Sequence, residues 1–210
     1  MADVTKIYPI NLTIENKNCF VIGGGNVAFR KISSLIDANA KITVISPKIC
    51  NEIDLLFKNK KISLIQQNFL PNLISNPFLL IAATNDQIVN KSVVDFAFQN
   101  NLLVNSVTEP FGNFTLPSKF SRGNLLFTVS SGTLSPAFSK FVRKMLESEF
   151  DDNFSNSLNF IADFRKNLKN IIPDSKDRIS FWRNVFQPKL WILIKNGDIS
   201  KIKHFLEENL

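Results

Sequence analysis

The chain has 210 residues, of which 44% are hydrophobic and 20% are charged, and its formal net charge is +7. This composition suits a folded domain with a sizeable core and excludes a disordered chain. No apolar run approaches the roughly 18 residues of a membrane-spanning helix, and the first residues lack the basic start and apolar middle of a signal peptide. We therefore expect a cytoplasmic protein with no membrane partner.

The first half of the chain predicts strands that alternate with helices. An apolar segment at 18–22 predicts a buried strand, and the apolar spacing over 26–38 predicts a helix. The other elements predicted in this half are a strand at 41–46, a less regular strand and loop at 59–70, a strand near 78–82, a helix at 86–101 and a strand at 102–107. This alternation is typical of the α/β class, in which helices cover both faces of a parallel sheet.

The second half of the chain has a different pattern. Strand-like runs at 112–116 and 124–130 are separated by turn residues. Ser135 and Pro136 then predict the cap and the first turn of a helix. Residues 151–210 predict further helices that are interrupted at prolines.

Three consecutive glycines stand between the first predicted strand and the first predicted helix. The run from Gly23 to Ala28 fits the pattern G-x-G-x-x-A of dinucleotide-binding folds. In that pattern Gly23 makes a tight turn, Gly25 lets the backbone approach a pyrophosphate, and Ala28 allows the helix to pack closely on the strand. The free N–H groups at the helix start favour a negative ligand. A glycine loop also occurs in methyltransferases that bind S-adenosylmethionine, but this spacing favours a dinucleotide.

The residues after the second predicted strand leave the choice of dinucleotide open. An acidic residue that would hold the ribose hydroxyls is absent, and Ser46, Pro47 and Lys48 occupy this region. Ser46 can hydrogen-bond the ribose, whereas Lys48 can tolerate the 2′-phosphate of NADP. Both NAD and NADP are therefore compatible with these residues.

The residue inventory argues against a protein-held metal and against histidine-based catalysis. Cys19 and Cys50 are the only cysteines, and their spacing fits neither a metal site nor a redox pair. His204 is the only histidine. A catalytic triad or a soft-ligand metal site would need more of these residues.

A basic segment without acidic residues lies between positions 110 and 146. Its basic residues are Lys119, Arg122, Lys140, Arg143 and Lys144. Such a segment can meet a polyanion, although a solvated basic surface is the commoner explanation. No reading helix or aromatic motif accompanies it, so we expect no nucleic-acid partner.

Five stretches of the sequence together carry a resemblance to a known family. They are FVIGGGNVAFRKISSLI, KITVISP, LLIAATNDQIVN, NFTLPSKFSRGNLLFTVSSGTLSPAFSKFVRKMLES and RISFWRNVF. The chain resembles the precorrin-2 dehydrogenase and sirohydrochlorin ferrochelatase family, which also forms the N-terminal module of siroheme synthases. The stretches run in the family's order and cover essentially the whole chain. No methyltransferase domain follows them, so the resemblance suggests the stand-alone form or a shortened one.

The resemblance implies a Rossmann-type parallel sheet, a small dimerisation region and a helical C-terminal domain. We accordingly expect an NAD-binding Rossmann domain at 1–112, a dimerisation and tetrapyrrole-site region at 113–147 and a helical domain at 148–210. The implied activity is the NAD-dependent oxidation of precorrin-2 to sirohydrochlorin by a homodimer in siroheme biosynthesis. Some members also insert Fe²⁺. The many carboxylates of precorrin-2 would give the basic segment an acidic partner.

The resemblance also implies which residues form the site. Those expected at the NAD cofactor are Gly23, Gly25, Asn26, Val27, Ser46, Pro47, Thr84, Asn85 and Asn105. Those expected beside the tetrapyrrole are Ser130, Ser131, Lys119 and Arg122.

The chain departs from the family at the expected catalytic position. The family usually reads N-V-V-D after the strand that ends near 107, and its aspartate is the favoured acid-base residue. Here Thr108 replaces that aspartate and Glu109 follows it. A carboxylate can remove the proton that leaves as hydride goes to NAD, whereas a threonine hydroxyl is too weak a base. Glu109 could take this role, the proton could leave to water, or the chain could be an impaired nucleotide-binding protein that keeps the fold. Since metal insertion also needs a base, we expect ferrochelatase activity to be weaker than dehydrogenase activity.

Overall fold

The computed structural model describes residues 7–132 and 135–210. The chain divides into two compact units, the first ending at Leu116 and the second beginning at Pro117. Each unit contains its own cluster of buried apolar side chains. The unit that ends at Leu116 contains the predicted glycine motif and is described first.

A parallel sheet of five strands forms the N-terminal unit, in the order β3-β2-β1-β4-β5. Its strands are β1 (Asn18–Ile22), β2 (Lys41–Ile45), β3 (Ser63–Ile65), β4 (Leu79–Ala82) and β5 (Leu103–Ser106). The strand order reverses between β1 and β4, and open sheets of this kind bind ligands in the crevice outside the carboxyl ends of such strands. The α/β fold with a parallel sheet, predicted from the sequence, is confirmed.

Helices cover both faces of this sheet. They are α1 (Asn26–Ile36), α2 (Asn51–Lys58) and α3 (Gln87–Gln99). Adjacent strand residues point to opposite faces, so Ile81 belongs to the core with α1 and α2, whereas Leu80 belongs to the core with α3. The sequence analysis did not predict α2, because this helix is short and buries only Ile53.

The C-terminal unit combines a small antiparallel sheet with helices. Its elements are β6 (Ser118–Arg122), β7 (Leu125–Val129), α4 (Pro136–Glu149), α5 (Asp152–Ile171), α6 (Ser175–Val185), α7 (Pro188–Asn196) and α8 (Ile199–Glu207). The last four helices pack around Leu168, Leu190 and Ile202, whose side chains are fully buried. The predicted start of α4 is confirmed, since the Ser135 hydroxyl accepts a hydrogen bond from the Phe138 N–H at 3.2 Å.

The strand predicted at 112–116 is wrong. These residues form a bend and coil, with an isolated bridge between Asn105 and Gly112. Gly112 has a φ of +91°, and a Cβ there would lie 2.2 Å from the carbonyl oxygen of Val104. The local pattern resembled a strand, but close packing of this glycine against β5 decides the conformation.

Candidate dinucleotide site at the carboxyl edge of the sheet

The turn after β1 is shaped by the close approach of backbone segments. Gly23 has a φ of +125°, and a Cβ on it would lie 2.3 Å from the carbonyl oxygen of Ala83. Its N–H donates to the carbonyl oxygen of Ile45 at 3.0 Å. Gly23 therefore lets the chain leave β1 between the ends of its two neighbouring strands, where a side chain would not fit.

Gly24, a position that the motif leaves variable, is also tightly packed. A Cβ there would lie 2.1 Å from the carbonyl oxygen of Lys48 and 2.8 Å from the Ser46 hydroxyl oxygen. Its carbonyl oxygen accepts a hydrogen bond from the Cys50 N–H at 2.8 Å. This contact joins the glycine turn to the loop between β2 and α2. The sequence analysis did not predict this contact, although a glycine at a position that the motif leaves variable was a signal that a side chain would not fit there.

Gly25 differs from the other two glycines because the space before it is open. A Cβ on Gly25 would meet no atom within 4 Å. Gly25 is the N-cap residue of α1, with no side-chain hydrogen bond at the cap and no acidic residue in the first turn. The first N–H groups of α1, starting at Asn26 and Val27, thus lack the usual side-chain acceptor. Open space in front of a helix N-terminus fits the pyrophosphate of a dinucleotide.

The end of β2 presents a compact loop. Ser46 is only 6% exposed, and its hydroxyl donates to the carbonyl oxygen of Lys48 at 2.7 Å. Its proton is thus used within the loop, and Ser46 retains only acceptor capacity for a ribose hydroxyl. Pro47 and Lys48 are exposed.

The end of β4 leads into α3 through a short turn. The carboxylate of Asp86 caps α3 by accepting hydrogen bonds from the N–H groups of Ile88 and Val89, at 2.8 and 3.3 Å. Thr84 is half-buried and Asn85 is exposed. Both predicted cofactor residues therefore lie at the carboxyl edge of the sheet.

Asn90 is the residue at this edge that the sequence analysis missed. Its side chain is fully buried, and its Oδ1 accepts from the Thr84 N–H at 3.1 Å and the Thr84 hydroxyl at 2.8 Å. Its Nδ2 donates to the Thr84 carbonyl and to the Thr108 hydroxyl, both at 3.0 Å. One amide therefore links the segments that follow β4 and β5. The signal for this buried role was the helical spacing, which places Asn90 on the same face of α3 as the apolar Val93, Val94 and Ala97.

The two predicted catalytic residues follow β5 and have different surroundings. Thr108 is half-buried, whereas Glu109 is exposed. The backbone of Thr108 is held by Ser106, whose hydroxyl donates to the Thr108 carbonyl at 2.7 Å. The position expected from the resemblance to carry an aspartate thus carries a threonine whose backbone is fixed by a hydrogen bond.

Asn105 carries an unsatisfied polar atom. The residue is 7% exposed, and its Nδ2 donates to the carbonyl oxygen of Phe114 at 3.0 Å. Its buried Oδ1 has no hydrogen-bond partner among the described residues. Buried polar atoms are nearly always paired, so a free acceptor at the end of β5 fits a site that receives a donor group.

The serines predicted beside the tetrapyrrole belong to the C-terminal unit and brace the start of α4. The Ser131 hydroxyl donates to the carbonyl oxygen of Ser135 at 2.9 Å and accepts from the Ser139 hydroxyl at 2.7 Å. Ser130 is exposed, and its hydroxyl accepts from the Gly132 N–H at 3.2 Å.

Arg122 and Lys119, both on β6, are used differently. The Arg122 guanidinium donates to the carbonyl oxygens of Phe150 and Glu147, the latter at 3.0 Å, and its side chain is 18% exposed. It thus satisfies carbonyls that the end of α4 leaves free. This geometry favours a structural role for Arg122 over the substrate contact expected from the sequence. Lys119 is exposed and stays a candidate for that contact.

No group of three or more histidine, cysteine, aspartate or glutamate side chains in residues 7–132 and 135–210 could hold a metal ion. Over the same ranges, no helix has the length and apolarity that crossing a membrane requires.

A family model described as putative NAD(P)-binding matches residues 10–118, which is more than half of the chain. A model of the sirohaem synthase dimerisation region matches residues 158–210. The chain belongs to the siroheme synthase N-terminal family. This assignment confirms the resemblance seen in the sequence and supports NAD as the cofactor.

Relatives of this N-terminal family include longer proteins. The chain is 32% identical over 203 residues to a siroheme synthase of Vesicomyosocius okutanii, covering 96% of this chain and 44% of the relative. It is also 32% identical over 203 residues to that of Pseudoalteromonas translucida, covering 96% of this chain and 43% of the relative. The chain thus spans less than half the length of these curated relatives. Among solved structures, SirC, a precorrin-2 dehydrogenase, matches with a TM-score of 0.80 and 26% identity, covering 97% of this chain and 98% of the SirC chain.

Proposed function

We propose that this chain oxidises precorrin-2 to sirohydrochlorin with NAD as hydride acceptor, as a step in siroheme biosynthesis. The observation that carries the proposal is the open N-terminus of α1 behind Gly25, in a chain of this family. The similarity to SirC over 97% of the chain supports the choice of substrate.

In this proposal the cofactor extends across the carboxyl edge of the sheet. Gly25, Asn26 and Val27 hold the pyrophosphate through backbone N–H groups and the positive end of α1. Gly23, whose N–H donates to the carbonyl of Ile45, shapes the turn that brings the chain to this position. Ser46 and Pro47 lie beside the adenosine ribose, at the end of the strand on one side of β1.

The other half of the dinucleotide then lies over the ends of β4 and β5, on the opposite side of β1. Thr84, Asn85 and Asn105 are its proposed contacts. When bound, NAD supplies the ring that accepts the hydride. The unpaired Oδ1 of Asn105 supports this arrangement because it offers an acceptor for a ligand donor.

Glu109 is our candidate for the group that removes the substrate proton. It is the carboxylate next to the family's aspartate position, and its exposure leaves it accessible to a ligand at this edge. Thr108 cannot act as the base, since its hydroxyl is not basic enough. Lys119 and Ser130 are proposed to meet the substrate's carboxylates. Ser131, whose hydroxyl donates to the Ser135 carbonyl, is proposed to position the start of α4 beside them.

A second candidate function is that of an impaired nucleotide-binding protein. Thr108 favours it, because the residue that replaces the family's aspartate already accepts a hydrogen bond from Asn90. Such a protein would bind NAD and leave precorrin-2 unchanged. Insertion of Fe²⁺ into sirohydrochlorin, with iron as substrate, is a further activity that the same assay can test.

We also propose a homodimer. The match of residues 158–210 to a dimerisation region supports it, as does an exposed apolar face of α4 formed by Phe138, Phe141 and Met145. The division at 1–112, 113–147 and 148–210, with dimerisation in the middle segment, and the cytoplasmic location stay predictions. Sedimentation of the wild-type protein and of Phe141→Asp tests the dimer, and a monomeric wild type would contradict it.

The deciding experiment is a turnover assay with precorrin-2, run with NAD and with NADP, and afterwards with Fe²⁺ added. We expect NADH and sirohydrochlorin to form in equal amounts. The matched control is Gly25→Asp, which places a carboxylate where the pyrophosphate would lie and should abolish NAD binding without loss of fold. NAD binding without turnover would favour the impaired protein, and unchanged binding by Gly25→Asp would refute the site.

A further inference from the structure

The orientation of the Asn90 side chain is determined by its neighbours. The Thr84 N–H can only donate and the Thr84 carbonyl can only accept, and the Asn90 amide meets both, at 3.1 and 3.0 Å. The oxygen of the amide must therefore face the N–H, and its nitrogen must face the carbonyl. A rotation of the amide by half a turn would break both hydrogen bonds.

This orientation decides the role of the Thr108 hydroxyl. The Asn90 Nδ2 lies 3.0 Å from the Thr108 Oγ1, and an amide nitrogen can only donate. Thr108 must accept this hydrogen bond, so its own proton points elsewhere. Within residues 7–132 and 135–210, no protein acceptor pairs with that proton. Thr108 is half-buried and borders the carboxyl edge of the sheet.

We propose that Thr108 donates a hydrogen bond to an oxygen of the bound ligands, and that Asn90 is the positioning residue that holds Thr108 in this donor state. The proposal rests on the proposed function, because it concerns the same site. The acceptor is a carbonyl or carboxylate oxygen, which the nicotinamide carboxamide and the acidic side chains of precorrin-2 both offer. The position that carries a proton acceptor in the family thus carries a non-titrating donor in this chain.

The anchoring of both partners supports a fixed direction for this donor. The Asn90 side chain is fully buried. Its amide nitrogen donates to the Thr84 carbonyl and the Thr108 hydroxyl, and its oxygen accepts from the Thr84 N–H. The Thr108 backbone is held by the Ser106 hydroxyl on its N–H and carbonyl sides, at 3.3 and 2.7 Å. A donor held in this way loses little conformational freedom when it binds a ligand.

The test compares Thr108→Val, which removes the hydroxyl at nearly constant shape, with Thr108→Ser, which keeps it. If the acceptor is the carboxamide, Thr108→Val should raise the NAD dissociation constant, measured by calorimetry without substrate, about 2- to 13-fold. If the acceptor is a substrate carboxylate, NAD binding should stay the same and the KM for precorrin-2 should rise about 10- to 150-fold. Thr108→Ser should restore most of either loss.

Asn90→Asp tests the positioning role with an isosteric side chain. A carboxylate cannot donate, so the Thr108 hydroxyl would turn its proton towards position 90 and be lost to the ligand. Asn90→Asp should then reproduce the binding defect of Thr108→Val, and the double variant should bind no more weakly than either single variant. If Asn90→Asp does not fold, a second measurement takes its place. It is the rate at which the Asn90 side-chain amide protons exchange with solvent, compared between the wild type and folded Thr108→Val. Slow exchange that becomes faster in Thr108→Val is expected, and unchanged exchange would refute the Asn90–Thr108 contact.

The outcomes separate the proposals. Wild-type protein that binds no NAD would defeat the proposed function and the inference together. The wild-type protein could bind NAD and turn over precorrin-2 while Thr108→Val keeps the NAD dissociation constant and the KM for precorrin-2 within twofold of the wild-type values. That result would refute only the inference. If Thr108→Ser binds the ligand as weakly as Thr108→Val does, the inference is also overturned, because the hydroxyl would then not be the group that binds.

Discussion

Gly24 and the carbonyl of Lys48 are so close that a Cβ on the glycine would lie 2.1 Å from the carbonyl oxygen. A Cβ on Gly25, the next residue, would meet no atom within 4 Å. Adjacent glycines therefore serve different purposes, since Gly24 joins the turn to the loop after β2 and Gly25 keeps the ligand's approach free.

This difference predicts that replacement by alanine lowers stability at Gly24 and lowers the affinity for NAD at Gly25. Gly24→Ala should lower the free energy of unfolding by about 1–3 kcal/mol, because the methyl group must displace backbone atoms. Gly25→Ala, at a φ of −91° and ψ of −175°, should lower it by less than about 1 kcal/mol, because alanine is a poorer N-cap than glycine but its methyl group meets no atom. Its NAD dissociation constant should nevertheless rise about tenfold, or about 1.4 kcal/mol. Urea unfolding and calorimetry measure the two quantities, and equal losses of stability in both variants would contradict the packing described.

The role of Glu109 is tested by Glu109→Gln, which keeps size and removes the base. If Glu109 takes the substrate proton, kcat should fall by about 10²- to 10⁴-fold with little change in the dissociation constant of NAD. Single-turnover formation of NADH measures the rate. Asp86→Asn is a useful comparison, because that carboxylate is used in capping α3. If Glu109→Gln reacts at the wild-type rate, Glu109 is not the base and is only an exposed surface residue.

Restoring the family's aspartate by Thr108→Asp should change the pH dependence of the reaction. The introduced carboxylate acts as a base only when ionised, so the added rate should be present above a pKa of about 4 and be lost as the pH falls through it. The Asn90 amide would donate to the carboxylate and favour its ionised form. The measurement is kcat/KM against pH for both proteins. A rate at neutral pH no higher than that of the wild type would contradict a missing base at this position.

Arg122 and Lys119 give a matched pair on β6. Arg122→Ala should destabilise the C-terminal unit by about 1.5–3 kcal/mol, because carbonyls at the end of α4 lose a charged donor. Lys119→Ala should leave stability within about 0.5 kcal/mol and raise the KM for precorrin-2. Thermal unfolding and steady-state kinetics measure these effects. If Arg122→Ala were fully stable and raised KM instead, the substrate contact expected from the sequence would be right.

The cysteines should differ in reactivity towards a thiol reagent. Burial raises the pKa of the Cys19 thiol to about 11, and the side chain is fully buried. At pH 8 the thiolate of Cys19 is scarce, and it becomes populated only as the pH rises towards 11. Cys50 is half-buried and should supply the single fast-reacting thiol. Two fast thiols in the folded protein at pH 8 would contradict the burial of Cys19.

Much of the N-terminal unit could be predicted from local pattern. The apolar run at 18–22, the glycines and the helical spacing after them are encoded within a short stretch, so β1, the turn and α1 followed from the sequence. α2 did not follow, because it has only eight residues and buries one side chain. The error at 112–116 has a tertiary cause, since Gly112 packs on the backbone of β5.

The sequence by itself determined the fold class and the family, because strand and helix periods and the glycine spacing are local properties of the chain. The glycine turn as the place of the dinucleotide stays a prediction. Only the tertiary structure decided what individual polar groups are free to do. Ser46 and Arg122 use their donors within the protein, Asn105 keeps an unpaired acceptor, and Asn90 holds Thr108 across 18 positions of sequence. The physical reason is that hydrogen-bond partners are decided by proximity in space. Asn90 and Thr108 meet because β4 and β5 end side by side, and Arg122 meets Glu147 because α4 packs against β6.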